Sequence, residues 1–480
     1  MSTISAFYLI FLFIVTCGYY ALPARYRPLW LLGASYLFYF TWQPAFLLVL
    51  CFVTFVAFNL GRLLPKISDP LKKRNFLLGG IALLLLPLFT FKYLNQTNDL
   101  ITAILDMFSV SVSFPKQPYL APLGISFFTF LSIGYVADIY RGYLEPERSL
   151  HKFAVFVAFF PTILAGPIER AKSLLKQINA PRSFDRENIR AGLQLILWGV
   201  FKKVVIADRI AAFTGDIYAA PENFPGFIVY LAIVLSVFRV FCDFSGYSDI
   251  AVGSARLLGI NVVKNFDDRV YAATSRQKFW QGWHMSLTSW IRDYVFLPLS
   301  KKVKTRGFLY FNLIFVFLLI GLWHGATWGF LIWGLLNGVW LVIERVTQLK
   351  RHKFAAGAGI GPDSRVYRFL SWLLVFHAGA FMGVFFLASS PQNAFDMFSA
   401  IANSNAGIFQ SGELRGTALT IVFLMFMDLI NSRIPKGQNF DRFIGKQHLV
   451  VRWIMYFVLA ELILRYVLVF RTEGFMYFLF

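Results

Sequence analysis

Charge is scarce in this chain. Only 15% of its 480 residues are Asp, Glu, Lys or Arg, against about 25% in soluble domains. Hydrophobic residues make up 58%, and phenylalanine alone occurs 55 times. A water-soluble fold has no place for that much apolar surface, which argues against a soluble enzyme and against a disordered protein. Cysteine is scarce too. Cys17, Cys51 and Cys242 each lie in an apolar run and form no CxxC pair, so neither a disulfide framework nor a zinc site is expected. The six histidines, at 151, 284, 324, 352, 377 and 448, show no metal-ligand spacing, and no metal is expected. Acids are outnumbered, 25 against 46 Lys and Arg, for a net charge of +21. In a soluble protein that excess would suggest nucleic acid. In so apolar a chain it reads as the cationic loops that face the cytoplasm, with no nucleic-acid partner. No phosphate loop, dinucleotide fingerprint, GxSxG elbow or HExxH is present, so ATP-driven transport has no support.

What the chain does have is a succession of apolar runs. It reads as an all-α polytopic membrane protein of one domain, residues 1–480, with room for on the order of a dozen spans. Spans are expected near 6–22, 29–43, 45–61, 76–91 and 119–139, with a weaker run at 99–112. No Lys or Arg precedes the first run; Arg25 and Arg27 follow it. It therefore reads as a retained span with an external N-terminus, since a signal peptide carries its charge in front. The basic stretches 62–74, 301–306, 349–368 and 433–446 belong inside the cell. The run 153–165 is too short to cross and suits a re-entrant segment, while Asn188 to Ile206 is amphipathic with a basic end. Glu169 and Arg170 read as a surface pair. Spans at 369–388, 417–431 and 451–470 complete the chain, with 391–416 outside.

The stretch 308–344 is mostly apolar and has basic segments at both ends. Its 37 residues fall short of two full spans, which need about 40 plus a turn. Two short helices meeting at Gly321-Leu322-Trp323-His324-Gly325 fit better, and they place His324 at a break within the membrane. An ionisable side chain at that depth is a functional candidate, and histidine can act as a general base. The alternative is an interhelical hydrogen bond. If 279–296 is one helix, His284, Thr288 and Arg292 share a face. That polar stripe, with Trp280, Trp283 and Trp290 around it, lines a cavity or marks an interfacial helix. The run Asp243-Phe244-Ser245-Gly246-Tyr247-Ser248-Asp249 interrupts an apolar stretch. Its acids need partners if buried, with Arg239 or Arg256 in range, and a structural network is the favoured reading.

Five ordered blocks carry a resemblance. They are PLGISFFTFLSIGYVADIYRG from Pro122, FPTILAGPIER from Phe160, DFSGYSDIAVG from Asp243, FWQGWHMSLTSWIRDYVFLPL from Phe279 and GLWHGATWGFLIWGLLNG from Gly321. Together they resemble the membrane-bound O-acyltransferases, in the bacterial branch of alginate O-acetylation membrane subunits, over a core of about 120–345. The resemblance implies a ring of about 11–12 transmembrane helices, with re-entrant or interfacial helices, around a central tunnel reaching His324. It implies an O-acyltransferase, an O-acetyltransferase by its branch. His324 would be the general base or transient acyl carrier. His284 would orient the acceptor or stabilise charge. The candidate substrate-binding residues are Trp323, Asn337, Asp243, Ser245, Tyr247 and Arg292.

The implied reaction moves acetyl groups from a cytoplasmic donor resembling acetyl-CoA across the bacterial inner membrane to an extracytoplasmic polysaccharide such as alginate. No cofactor is held, and a separate periplasmic acetyltransferase is the expected protein partner in a lipid setting. Related teichoic-acid D-alanyl transfer proteins share the WHMS and WHG blocks, so D-alanyl or other acyl transfer to an envelope polymer is the nearest alternative. A secondary transporter and a non-catalytic export scaffold are the others. One departure stands out. Alginate-type relatives often carry arginine after the aromatic pair of a late WVFFRA-like block, where this chain reads Gly383-Val384-Phe385-Phe386-Leu387-Ala388.

Overall fold

In a computed structural model of the chain, the structure describes residues 3–108, 112, 121–180, 182–302, 305–361, 363–402, 411–435, 440–469 and 474–476. Lys304, Lys436 and part of the expected 391–416 loop lie outside them, as does part of the 99–112 run. No strand occurs among the described residues. Among the described residues, six helices are long and apolar enough to cross a membrane: Pro44–Lys66, Pro70–Met107, Gly226–Leu257, Arg306–His324, Trp328–Gly357 and Arg365–Leu387. Ala6–Ala21 and Ile125–Tyr140 are shorter apolar helices. The chain is thus an all-α, multi-pass membrane protein. By length and composition this is fewer spans than the expected count. The run at 29–43, for example, yields a helix of only 14 residues, Arg27–Phe40.

Side-chain caps start many of these helices. Ser5 accepts the Tyr8 N–H at the head of α1 (Ala6–Ala21). Further along lie α2 (Arg27–Phe40) and α3 (Leu47–Leu63). Asp69 accepts the Leu71 and Lys72 N–H groups before α4 (Pro70–Leu88), with Pro70 in the first helical position. There its missing N–H costs nothing. Each cap satisfies donors that a helix start leaves unpaired.

The chain packs as two units. The first comprises residues 1–193 and 250–263. In it α3 and α4 pack on α5 (Ile125–Tyr140), and α2 packs on α6 (Leu150–Ala158). Tyr135, Phe58 and Phe153 form an aromatic core there, with the Tyr135 and Phe153 rings 4.4 Å apart. The helix α6 stops at Ala158, and a turn carries the run on to Ala165 with residues 153–165 all buried. Glu169 departs from the expected surface pair. It is buried and accepts the Val263 N–H at 2.5 Å, and burial pushes its carboxyl up to about 7.

The second unit comprises residues 194–249 and 264–480. It holds most of α7 (Gly226–Leu257), then α8 (Arg276–Gly282), α9 (Met285–Ile291), α10 (Arg306–His324), α11 (Trp328–Gly357) and α12 (Arg365–Leu387). Thr305 caps α10 and Ser364 caps α12. α10 and α11 form a tight antiparallel hairpin. A Cβ on Gly321 would lie 2.4 Å from the Phe330 carbonyl oxygen, and one on Gly334 would lie 2.5 Å from that of Phe317. Only glycine lets these two backbones meet, the small-residue packing that membrane helices use.

The basic end of the amphipathic stretch 188–206 is buried. Lys202 and Lys203 open a π-helical turn, Lys202–Ala207, and both are buried. Their partners are the acids of the 243–249 run, not the bulk phase.

Candidate active site

His324 is the last residue of α10, and α11 begins at Trp328. The break falls where the glycine-rich pentapeptide places it. His324 is buried. Its imidazole packs against the rings of Trp323, Trp333 and Phe386, with centroids 4.9, 5.5 and 4.9 Å away. It lines a cavity of about 910 Å³ of empty space counted to the mouth, together with Arg276, Trp283, Trp333, Phe386 and Leu387. Leu387, the point at which this chain departs from the expected late block, therefore faces the His324 chamber.

His284 is not on a continuous helix, contrary to the one-helix reading of 279–296. α8 ends at Gly282, α9 starts at Met285, and a π-helical turn, Arg292–Phe296, follows. His284 sits between the first two with φ 42°, the one non-glycine residue of positive φ among the described residues. A side chain is held in that left-handed region only when its surroundings over-determine it. Asn265 does so. Its Oδ1 accepts the Ser286 N–H (3.2 Å) and the Ser286 hydroxyl (2.8 Å), and lies 3.1 Å from His284 Nδ1. Its Nδ2 donates to Ser248 Oγ at 3.2 Å. A backbone N–H can only donate, so the atom facing Ser286 is the amide oxygen. His284 Nδ1 must then carry the proton, which leaves the lone pair on Nε2.

His284 lies outside the six spanning helices, and burial pushes its imidazole down to about 3, so it is neutral near pH 7. Both histidines pack on Trp323: the His284 and Trp323 centroids are 5.9 Å apart. His284 does not line the His324 chamber.

The remaining candidates divide. Thr288 and Arg292 line a second, larger cavity of about 1780 Å³ counted the same way. It also carries Lys278, Arg345, Arg351 and Arg368, against Glu344 and Asp363. Arg292 additionally pairs with Asp293 at 2.8 Å. A layer of side chains separates the two cavities. Trp280 lines the basic one and stands 5.8 Å from Trp333, which lines the other. Asn337 lines neither cavity. Its Oδ1 accepts from Arg276 Nε (2.9 Å), Arg276 Nη2 (2.5 Å) and Trp280 Nε1 (3.2 Å), and its Nδ2 donates to the Trp333 carbonyl (2.8 Å). It holds the wall together.

Asp243, Ser245 and Tyr247 line neither cavity. Asp243 pairs with Lys203 at 2.7 Å, not with Arg239 or Arg256, and Ser245 accepts from Lys202 at 2.9 Å. Tyr247 packs on Phe475, with centroids 5.0 Å apart. In this cluster the acids and hydroxyls meet lysines and aromatic rings, away from both cavities. Arg276, Asn265 and Lys203 were not anticipated, and each gains its meaning from a partner distant in sequence.

The fold and site define a class: a polytopic α-helical protein with a buried histidine at a helix break, facing an aromatic chamber. The comparisons with known proteins give the family. The model of MBOAT, the membrane-bound O-acyltransferase family, matches residues 145–389. A "Probable alginate O-acetylase" of Azotobacter vinelandii is 36% identical over 384 residues, covering 80% of this chain and 74% of that protein. One of the same description from Pseudomonas aeruginosa is 35% identical over 422 residues, covering 87% and 77%. A "Peptidoglycan O-acetyltransferase" of Helicobacter pylori is 30% identical over 423 residues, covering 81% and 77%. The chain belongs to the membrane-bound O-acyltransferase family and is an O-acyltransferase.

Proposed function

We propose that this enzyme takes acetyl groups from a cytoplasmic thioester donor resembling acetyl-CoA and passes them across the bacterial inner membrane for O-acetylation of an envelope polysaccharide. The observation that carries this reading is the pair of cavities separated by one wall of side chains. The basic cavity has five Lys and Arg side chains against two acids. Guanidinium groups suit phosphate oxygens, so it fits the phosphates of the donor. Several of these cations lie on or beside the 349–368 stretch that the positive-inside rule places in the cytoplasm. The His324 chamber is lined mostly by apolar and aromatic side chains, which suits an acetyl group.

In this chamber His324 takes the proton of the attacking hydroxyl as that oxygen bonds to the acetyl carbon. The thiolate leaves and receives the proton back, so the histidine ends as it began. His284 lies outside the chamber and acts on it as a positioning residue through Trp323, the ring against which both imidazoles pack. Alginate and peptidoglycan are what the named relatives act on, which supports a polysaccharide acceptor. The reading adds a separate periplasmic acetyltransferase as partner and the inner membrane as the site.

Replacing both Arg345 and Arg351 with Gln should raise the acetyl-CoA concentration for half-maximal rate by roughly tenfold or more, the loss of one or two charge-assisted hydrogen bonds. The maximal rate should stay near wild type. Unchanged half-saturation would count against the donor site.

Asn265 offers a second test. Asn265→Ala should lower kcat by about a hundredfold, because the turn that seats His284 against Trp323 is released and the wall beside His324 shifts with it. Asn265→Asp still accepts the Nδ1 proton, and its charge favours the imidazolium. The activity of Asn265→Asp should therefore fall at a higher pH than wild type as the solution is acidified. An identical pH–rate profile in Asn265→Asp would contradict the orienting role.

A further inference from the structure

Arg276 places a positive charge in the wall of the His324 chamber, and the group its guanidinium hydrogen-bonds is a neutral amide. It is buried and lines the cavity. Its position is fixed from two sides. Glu344 accepts the Arg276 backbone N–H at 3.0 Å and the Gln277 N–H at 3.1 Å, so that carboxylate caps α8. The guanidinium points elsewhere, with Nε and Nη2 both directed at the neutral amide oxygen of Asn337. Its carbon sits 4.1 Å from the centroid of the Phe279 ring. Among the described residues no carboxylate lies within ion-pair distance of it. The third nitrogen, Nη1, lies beside Gly379, another lining residue, and a Cβ on Gly379 would come within 2.9 Å of it. Glycine at this point leaves the Nη1 edge uncovered. With Leu387 apolar, Arg276 is, among the described residues, the only Lys or Arg that lines the chamber.

A buried charge whose guanidinium bonds only a neutral amide is costly. We propose that Arg276 is the oxygen-anion-binding residue of the His324 chamber, its Nη1 edge receiving a negatively charged oxygen of the substrate. Two sources share that chemistry. One is the acetyl carbonyl oxygen, which becomes an oxyanion when the acceptor oxygen bonds to the acetyl carbon and returns to a carbonyl when the thiolate leaves. The other is a carboxylate of an acidic sugar acceptor. The assignment of the reacting group rests on the acyl-transfer reading above, whereas the anion site itself does not.

The test separates the two. Purified protein in detergent is titrated with sodium acetate, sodium glucuronate or neutral acetamide at constant ionic strength. Binding is read by fluorescence of the chamber tryptophans and by thermal shift. Acetate or glucuronate should bind wild type while acetamide does not. Arg276→Gln should weaken that binding by about tenfold to a hundredfold, and Arg276→Lys should retain part of it. Gly379→Ala, which leaves the guanidinium in place but covers Nη1, should weaken it as well. Acetate binding points to the acyl oxygen, and binding of glucuronate alone points to the acceptor. Equal affinity of Arg276→Gln and wild type, or no binding of either anion by folded wild type, overturns the site. If anion binding depends on Arg276 but acetyl-CoA is never consumed, the donor reading fails and the anion site stands.

Discussion

Cells that carry His324→Ala in place of the wild-type chain are expected to lose alkali-labile acetate from their surface polymer, by a factor of about 10² to 10⁴, the usual contribution of a general base. The protein should still be made and inserted. His324 is packed among Trp323, Trp333 and Phe386 on the edge of an existing cavity. Truncation there enlarges that space. The α10–α11 hairpin is held by its glycine contacts along the helix. Acetylation at the wild-type level would remove His324 from the mechanism. Loss of acetylation together with loss of the protein from the membrane would make it a structural residue instead.

The second large effect concerns stability. Lys203 Nζ lies 2.7 Å from Asp208 Oδ1, 2.7 Å from Asp243 Oδ1 and 2.9 Å from the Gly474 carbonyl oxygen, and all three charged side chains are buried. Those three contacts use every proton of the ammonium group. Asp243 Oδ2 also accepts the Met476 N–H at 3.0 Å, so the same cluster ties down the chain near its end. Lys203→Met strands two carboxylates in a dry site. Breaking a buried pair in this way costs about 3–5 kcal/mol. Denaturation in mild detergent should show that loss. Adding Asp208→Asn and Asp243→Asn to Lys203→Met should recover much of it, because no charge then remains to be compensated. A loss below about 1 kcal/mol for Lys203→Met, the level of an exposed pair, would show that the cluster is not a stabilising one.

Much of this architecture is legible in the residues. The apolar runs give the membrane helices, and the glycines around His324 give the break, because both are local signals. The paired glycines of α10 and α11 also belong to that local text, although which carbonyl each one meets does not. His284 was harder to read. The spacing of His284, Thr288 and Arg292 suits one helix, and nothing nearby announces that Asn265 captures Ser286 and turns the backbone left-handed. Lys202 and Lys203 look like the basic edge of an amphipathic helix until the carboxylates of Asp243 and Asp249 meet them. Arg276 sits among other basic and polar residues and reads as one more loop cation. Its burial depends on Asn337 and Glu344, more than 60 residues further on. Asn337 shows the reverse. It was a candidate for touching substrate, yet every contact of its amide is spent on the wall between the cavities.

The central claim is that His324 works on an acetyl group delivered by a thioester donor. The most direct measurement follows acetyl-labelled CoA with purified protein in detergent, wild type beside His324→Ala, with and without a polysaccharide acceptor. The account predicts that wild type releases label to the acceptor, or slowly to water when none is present, and that the His324→Ala protein, equally folded, releases none above background. Equal release by both proteins would contradict it.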